Sequence, residues 1–351
     1  MVADVRADEP KVDAASPAAG EPRARLALVG VVALGTLWAL YGFTRGHVDL
    51  ANPCPLGTTM AASVPGPWPF PAWIEGVAFQ LHHGREGHLG YLFGEVRSTG
   101  WWWFYLACLA LKLTIAAQVL LVVRAGALLA RPARGRRWGD LALLAYPGLL
   151  LVAMSAARHQ ANVSFLLPAF PFAMLWVGWG MGDVRRTLGR VGRPLVLGLL
   201  VLGAVETLRV HPHYLMFFNA WAGGPEGGPR YLVHREDWGQ DDRRLGEWQR
   251  QNAIPRLFYT AYGPNPASWG IVFDPVPCAP TPGVYALHAV EVHRPQFGLR
   301  PGCIDWLTVE PPDERIGYSI YIYRVDAGRL ARLAAARDTA APFWRSGPGR
   351  R

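Results

Sequence analysis

The first part of the chain alternates apolar runs with short polar or basic segments, and the last part does not. Five apolar runs, at about 26–43, 101–123, 141–157, 165–181 and 194–208, predict five membrane helices. Crossing the hydrocarbon core takes ~20 apolar residues, with a range of ~17–25. The second run meets that length, and the third, fourth and fifth are short and lean on their flanks. Trp101-Trp102-Trp103 opens the second run as an aromatic belt does at a membrane interface. Pro147, Pro168 and Pro171 fall inside runs, which membrane helices tolerate where neighbours satisfy the freed carbonyls. Beyond Leu208 the pattern shortens. Asp242–Asn252 has helical periodicity, Arg256–Gly263, Val284–His293 and Ile316–Val325 are strand-like, and Arg329–Arg337 reads as a short amphipathic helix. The expected fold is an α-helical multi-pass membrane protein with about five transmembrane helices and a small extracytoplasmic C-terminal α/β domain. Its layout is a disordered tail (1–23), a membrane domain (24–209) with an outer loop (44–100), an α/β domain (210–337) and a second tail (338–351).

Charge orients this arrangement. Of 351 residues, 51% are hydrophobic, and the formal net charge is +9. A mean hydropathy of +0.12 is too apolar for an ordinary soluble protein and too polar for one that is all membrane. Arg23 and Arg25 precede the first run, Arg124 to Arg137 fill the second connection, and Arg185 to Arg193 fill the fourth. If each run crosses once, these segments share a side, which the positive-inside rule makes cytoplasmic. The expected location is the cell (inner) membrane, with the N-terminus cytoplasmic and the C-terminal domain outside. The basic residues flank apolar runs rather than interleave with aromatics, so no nucleic-acid partner is expected. The first 23 residues lack the layout of a cleavable signal peptide.

Few residues carry obvious chemistry. Lys112 stands about three turns inside the second run, where a charge costs ~2.5–3.5 kcal/mol and usually faces a bundle interior or a watery cavity. A lysine snorkelling to the interface is the competing reading. Arg158 and His159, in an outer turn, pair with Lys112 as candidate cations for a lipid-linked phosphate, against plain interfacial anchoring. Asp237 and Asp241 are the best carboxylate pair, at helical i,i+4 spacing if a helix begins at Asp237. They suit a general base or a hold on an acceptor's hydroxyls, and they equally suit helix capping. Glu95, His213, Tyr214 and Gln240 are candidate acceptor or loop contacts. His82-His83-Gly84-Arg85-Glu86-Gly87-His88 matches no standard metal spacing, so no metal site is assigned. Cys278 and Cys303 suit a disulfide if their domain is extracytoplasmic, and two unpaired small hydrophobes remain the alternative. No dinucleotide fingerprint, P-loop, nucleophile elbow or HExxH motif is present.

Four stretches carry a family resemblance: YLFGEVRSTGWWWFYLACLALKLT (Tyr91–Thr114), SFLLPAFPF (Ser164–Phe172), the segment His211–Leu245, and RIGYSIYIYRV (Arg315–Val325). Together they resemble bacterial members of the GT-C superfamily, multi-pass glycosyltransferases akin to the protein O-mannosyltransferases. The resemblance covers most of residues 26–325, and Gly223-Gly224-Pro225-Glu226 followed by Asp237-Trp238-Gly239-Gln240-Asp241 is its most specific part. It implies an inverting transfer of a hexose from a polyprenyl-phosphate carrier to a hydroxyl acceptor, protein or glycan, on the outer face. The carrier-linked sugar is then the donor substrate, with no covalent cofactor implied and the divalent-metal requirement open. In that family the general-base carboxylate follows the first span of a longer protein. The first span here, ending Trp38-Ala39-Leu40-Tyr41-Gly42-Phe43, resembles a middle span of that pattern. The family's Lys-Thr-Pro is here Lys112-Leu113-Thr114, and Ser164-Phe165 stand where an Arg-His pair is expected. The resemblance thus implies a C-terminal portion, with a partner subunit to supply the other membrane half. The alternative is a non-catalytic membrane protein whose outer domain binds a glycan, lipid or partner subunit.

Overall fold

The structure is a computed structural model that describes residues 21–49, 63–87, 89–130, 137–160, 162–233, 236, 238–261, 265–293 and 299–336. It is mostly helical, with a small sheet region, and falls into two compact units, residues 1–83 and 84–351. The first unit holds α1 (Glu21–Leu40), the antiparallel pair β1 (Arg45–Asp49) and β2 (Ser63–Pro69), and most of α2 (Pro71–Glu86). Described residues of α1 are exposed almost all round, as in a helix without a protein partner face. Its end is fixed locally: Trp38 Nε1 donates to Thr44 O at 2.8 Å and the Arg45 guanidinium lies over the Trp38 ring.

In the second unit a hairpin of β3 (Gly90–Leu92) and β4 (Glu95–Arg97) leads into α3 (Phe104–Lys112) and α4 (Ile115–Ala130). Then come α5 (Arg137–Ala156), a 3₁₀ turn (163–169), α6 (Phe170–Trp179), α7 (Met181–Leu188) and α8 (Gly192–Leu208). Two stretches, Trp138–Ala156 and Met181–Leu208, are long and apolar enough to cross a membrane. The α3–α4 pair makes a third if it is one span bent by 115°, and Ala24–Leu40 and Val163–Trp179 are shorter apolar helices.

Two departures from the sequence pattern have clear causes. The second apolar run breaks because Leu113 turns extended, with φ −78° and ψ 144°. Broken backbone in an apolar setting needs polar partners, and three side chains supply them. Asn219 Nδ2 donates to the carbonyls of Ala110 (2.6 Å) and Leu113 (2.8 Å). Gln118 Nε2 donates to the same two oxygens at 3.0 Å, and Glu206 accepts from the Ile115 N–H at 2.9 Å. The second departure is the basic stretch 185–193, expected as a connection between spans. It is largely helical: α7 exposes Arg185 and Arg186, buries Asp183 and Val184, and passes through a 3₁₀ turn into α8.

A buried polar knot ties four of these helices. Arg124 of α4 donates to Asp140 of α5 at 2.5 Å, lies over the Trp176 ring of α6, and stands 4.0 Å from Asp183 of α7. Trp176 Nε1 donates to the same Asp140 oxygen at 2.8 Å. Gly180 makes the room, since a Cβ there would run into the Arg124 side chain.

The C-terminal part adds the short α9 (Gly224–Gly227), α10 (Asp242–Gln251), β5 (Leu257–Tyr259), β6 (Phe273–Pro275), β7 (Gly283–His288) and α11 (Ala289–His293). It ends with β8 (Glu314–Ile316), β9 (Ile320–Val325) and α12 (Ala327–Ala336). The sheet order is β6-β5-β7-β9-β8, with β5 parallel to both neighbours and β9 antiparallel to both of its own. Alternation sorts side chains between two cores. Tyr285, Leu287, Tyr321 and Tyr323 pack with Trp306 on one face, and Ala286, Ile320 and Ile322 pack with Leu245 and Trp248 of α10 on the other. The strand-like run 316–325 is two strands, split at Gly317 and Tyr318, which both take positive φ. The run 284–293 is strand only to His288 and then turns helical. Cys278 and Cys303 form a disulfide. Residues of the expected outer loop belong to this part of the fold: Tyr91 joins its core, and Leu92 bridges to Leu232.

Replacing Asp140 with Ala leaves the buried Arg124 charge with only Asp183, 4.0 Å away, and should cost ~3 kcal/mol. Thermal unfolding in lipid nanodiscs checks this, with Asp140→Asn, which keeps the Trp176 bond, losing less. An Asp140→Ala protein as stable as the wild type would show the knot to be dispensable.

Candidate functional site

The short segment 236–242 carries three buried carboxylates, Glu236, Asp241 and Asp242, each held by a different part of the chain. Burying a carboxylate is tolerable only with a charged or hydrogen-bonding partner. Glu236 meets Lys112 at the end of α3: Nζ lies 3.3 Å from Oε1, with the two side chains 7% and 0% exposed. The same ammonium sits 3.7 Å from the centre of the Phe218 ring and 3.4 Å from Leu215 O. Gln240 braces the segment from inside, its amide donating to Glu236 O and accepting from the Trp238 N–H.

Asp241 occupies the N-cap position of α10 but makes no cap bond with its side chain. Its carboxylate instead accepts from Ser319 Oγ at 2.8 Å and lies 3.3 Å from His213 Nδ1. The approach depends on Gly317, at φ +60°, because a Cβ there would collide with the carboxylate. Arg244 Nη1 lies 2.7 Å from His213 Nε2 and 3.4 Å from Nδ1, so the guanidinium packs across the imidazole, whose Nδ1 faces Asp241. Asp242, one residue on, accepts from Tyr259 OH at 2.5 Å, and the same phenol oxygen lies 2.6 Å from His288 Nε2.

His213 also lines a cleft of about 630 Å³ with His211, Glu226, Asp313, Arg315 and Tyr318. The Tyr318 ring meets the His213 ring edge-on at 5.4 Å. Glu226 and Arg315 stand 3.7 Å apart, and Arg329 holds Asp313 at 2.6 Å. The cleft therefore offers imidazole, carboxylate and guanidinium groups beside an aromatic face, a surface suited to a hydroxyl-rich ligand.

The structure brings together some of the sequence-derived candidates. Asp241 and His213 are in contact, and Gln240 and Lys112 both reach Glu236. Tyr214 is exposed beside them, its hydroxyl 3.0 Å from His211 Nδ1. Asp237 lies outside the described residues. The helix begins at Asp242, with Asp241 at its N-cap. Arg158 is exposed with its N–H bonded to Gly84 O, His159 packs on Phe165, and Glu95 is an exposed partner of Arg97 at 2.6 Å. Among the described residues no group of three or more His, Cys, Asp or Glu could hold a metal ion, and His88 is outside them. Sequence reasoning missed Glu236 as the partner of Lys112, and Arg244, Tyr318 and Ser319 around His213. The proximity of Lys112 to Glu236 has no local signature, because 124 positions separate them.

No protein-family model matches the chain, and neither a curated protein nor a solved structure matches it.

Breaking the Lys112–Glu236 pair from either side should cost ~3–5 kcal/mol, while the double change Lys112→Met/Glu236→Leu recovers most of it. Equal melting temperatures for Glu236→Ala and wild type would sink the pairing.

His293 yields a pH prediction. Burial, helped by the charges of Arg315 and Arg230, lowers its pKa from 6.5 to about 3. Unfolded, the ring takes up a proton below about pH 6.5. Folded, it stays neutral down to about 3. Its contribution to stability is therefore complete above pH 6.5 and falls by ~1.4 kcal/mol per pH unit on acidification toward 3. Denaturant titrations from pH 4 to 8 should show a shallower acid slope in His293→Gln than in wild type; parallel slopes would exclude this origin.

Proposed function

We propose that this chain is the acceptor-side portion of a GT-C-type membrane glycosyltransferase, binding a hydroxyl-rich acceptor in the cleft beside His213. In this reading the apolar helices form a five-span anchor with a cytoplasmic N-terminus, and the α/β part faces outward. The Cys278–Cys303 disulfide supports an oxidising compartment for that part. Transfer from a polyprenyl-phosphate sugar needs a base for the acceptor hydroxyl and cations for the departing phosphate.

The observation that carries the reading is the imidazole of His213, set in the cleft wall with Asp241 behind it. Asp241 holds the ring's orientation from behind, and with Arg244 beside Nε2 the imidazole and guanidinium together form a polar wall for a hydroxyl-rich ligand. Lys112, by contrast, has its charge taken up by Glu236, which favours a partner subunit as the source of the phosphate-binding cations and the catalytic carboxylate. The second reading is a purely glycan-binding membrane protein. It is favoured by Arg244, whose guanidinium lies 2.7 Å from Nε2 and covers the nitrogen a general base would use.

A transfer assay separates these readings: nanodiscs holding this chain, labelled polyprenyl-phosphate hexoses and a membrane-extract acceptor pool, with and without a co-expressed candidate partner. The expected result is acceptor retention by the chain alone, transfer only with the partner, and about tenfold weaker retention in His213→Ala, which removes the ring that Arg244 and Tyr318 pack against in the cleft wall. Transfer by the chain alone would remove the need for a partner. Absence of acceptor retention by the folded wild type would sink the acceptor-side assignment.

A further inference from the structure

We propose that the corner where α7 turns into α8 holds the phosphate of an anionic phospholipid, one acyl chain of which lies in the groove between α5 and α6. Four arginines, Arg185, Arg186, Arg190 and Arg193, are exposed on α7, the 3₁₀ turn and the first turn of α8. None of them has a carboxylate partner among the described residues. The sequence leaves little to neutralise them: Asp140 and Asp183 are the only acids from Arg124 to Val205, and both are buried around Arg124. The connection 131–136, outside the described residues, adds Arg131, Arg134 and Arg136 and no acid. Clustered arginines beside a membrane span attract anionic headgroups, and a planar guanidinium can take two phosphate oxygens at once. The corner is also firmly built. A Cβ on Gly192 would come 3.1 Å from the Arg185 Cα, whereas seven residues of straight helix advance ~10.5 Å. The chain therefore folds back at Gly189, which takes φ +57°, and Asp183 ties α7 to Arg124.

The groove supplies the other half of the site. It has a volume of about 860 Å³, and its apolar lining includes Gly139, Ala142, Leu143, Met174, Gly178 and Trp179. Its floor is open at Gly178, where a Cβ would meet nothing within 4 Å. The lining on α6 runs from Pro171 to Trp179, ~12 Å at 1.5 Å per residue. Trp179 stands at one end against Gly139, and the neighbouring Trp138 is 81% exposed. Tryptophans collect at headgroup level, so this is the end where a lipid phosphate would sit. α7 starts two residues beyond Trp179, which puts Arg185 and Arg186 within two turns of chain from it. In a bilayer the occupant at hand for an apolar groove is a lipid chain, and the charge at its end selects which lipid. The site requires the membrane placement proposed above for α5, α6 and α8, and shares no residue with the His213 cleft.

The test is native mass spectrometry of the full chain released from nanodiscs of equal phosphatidylglycerol and phosphatidylcholine with matched acyl chains. The wild type should retain phosphatidylglycerol in preference. Arg185→Gln/Arg186→Gln should lower that preference about 25-fold, a factor of roughly five for each arginine. Arg185→Lys/Arg186→Lys keeps the charge and should keep most of the preference. Gly178→Trp fills the groove and should lower retention with every arginine in place. Arg332→Gln, at an exposed arginine of α12, should change nothing. Glycerol 3-phosphate, which has the headgroup's phosphate without chains, should not displace the lipid. Alkaline extraction shows that each variant is embedded, and thermal unfolding that it is folded. The site is overturned if the embedded wild type retains both lipids alike, if the glutamine pair or Gly178→Trp retains phosphatidylglycerol as the wild type does, or if glycerol 3-phosphate displaces it. A wild type stripped from the membrane by alkali would sink the membrane placement and this site with it, whereas an embedded one without lipid preference sinks the site alone.

Discussion

Three carboxylates buried within one seven-residue segment, 236–242, impose the constraint that the rest of the second unit satisfies. A buried carboxylate without a partner is among the costliest features a protein can hold. Glu236 is answered by Lys112 from α3, Asp241 by His213 from the segment after α8, and Asp242 by Tyr259 from the sheet. These partners come from the apolar helices, the linker and the C-terminal sheet. The segment therefore fixes the α/β part to the helical part through charge, and the apolar cores then close around it.

A related exchange of polar groups shapes the α3–α4 corner. The chain leaves helical geometry at Leu113, where carbonyls would be orphaned in apolar surroundings. Asn219, from beyond the last apolar run, satisfies two of them, and Glu206 caps the next helix. Asn219 and Phe218 are neighbours, so one short stretch both repairs the broken helix and roofs the Lys112 ammonium. The corner and the buried ion pair are thus one construction. A lysine that looks from the sequence like an open cation has a built-in counter-charge.

The same economy explains the cleft. His213 is oriented by Asp241 only because Gly317 leaves room for the carboxylate and Ser319 donates to it. Both belong to the β8–β9 turn, which also supplies Tyr318 to the cleft wall. A single hairpin therefore sets the orientation of the cleft's imidazole and supplies its aromatic face.

Much of the fold was legible in the sequence. Each apolar run falls on helix, α10 begins where the polar-apolar period begins, and strands lie within all three strand-like stretches. These follow from local periodicity and from the cost of leaving apolar side chains in water, which act over a few turns of chain. The break in the second run, the helical course of residues 185–193 and the split at Gly317 were not legible, because each depends on groups brought from elsewhere or on a turn inside a uniformly strand-like run. The candidate site divides the same way. The sequence marked Lys112, His213, Gln240 and Asp241 as unusual by type and position. Only tertiary structure decided that Lys112 is neutralised by Glu236, that Asp241 serves His213 rather than a helix cap, and that Tyr259 is bound between Asp242 and His288. The physical reason is range: hydrophobic periodicity is written along the chain, whereas the pairing of buried charges is settled between segments that only folding brings within a few ångströms.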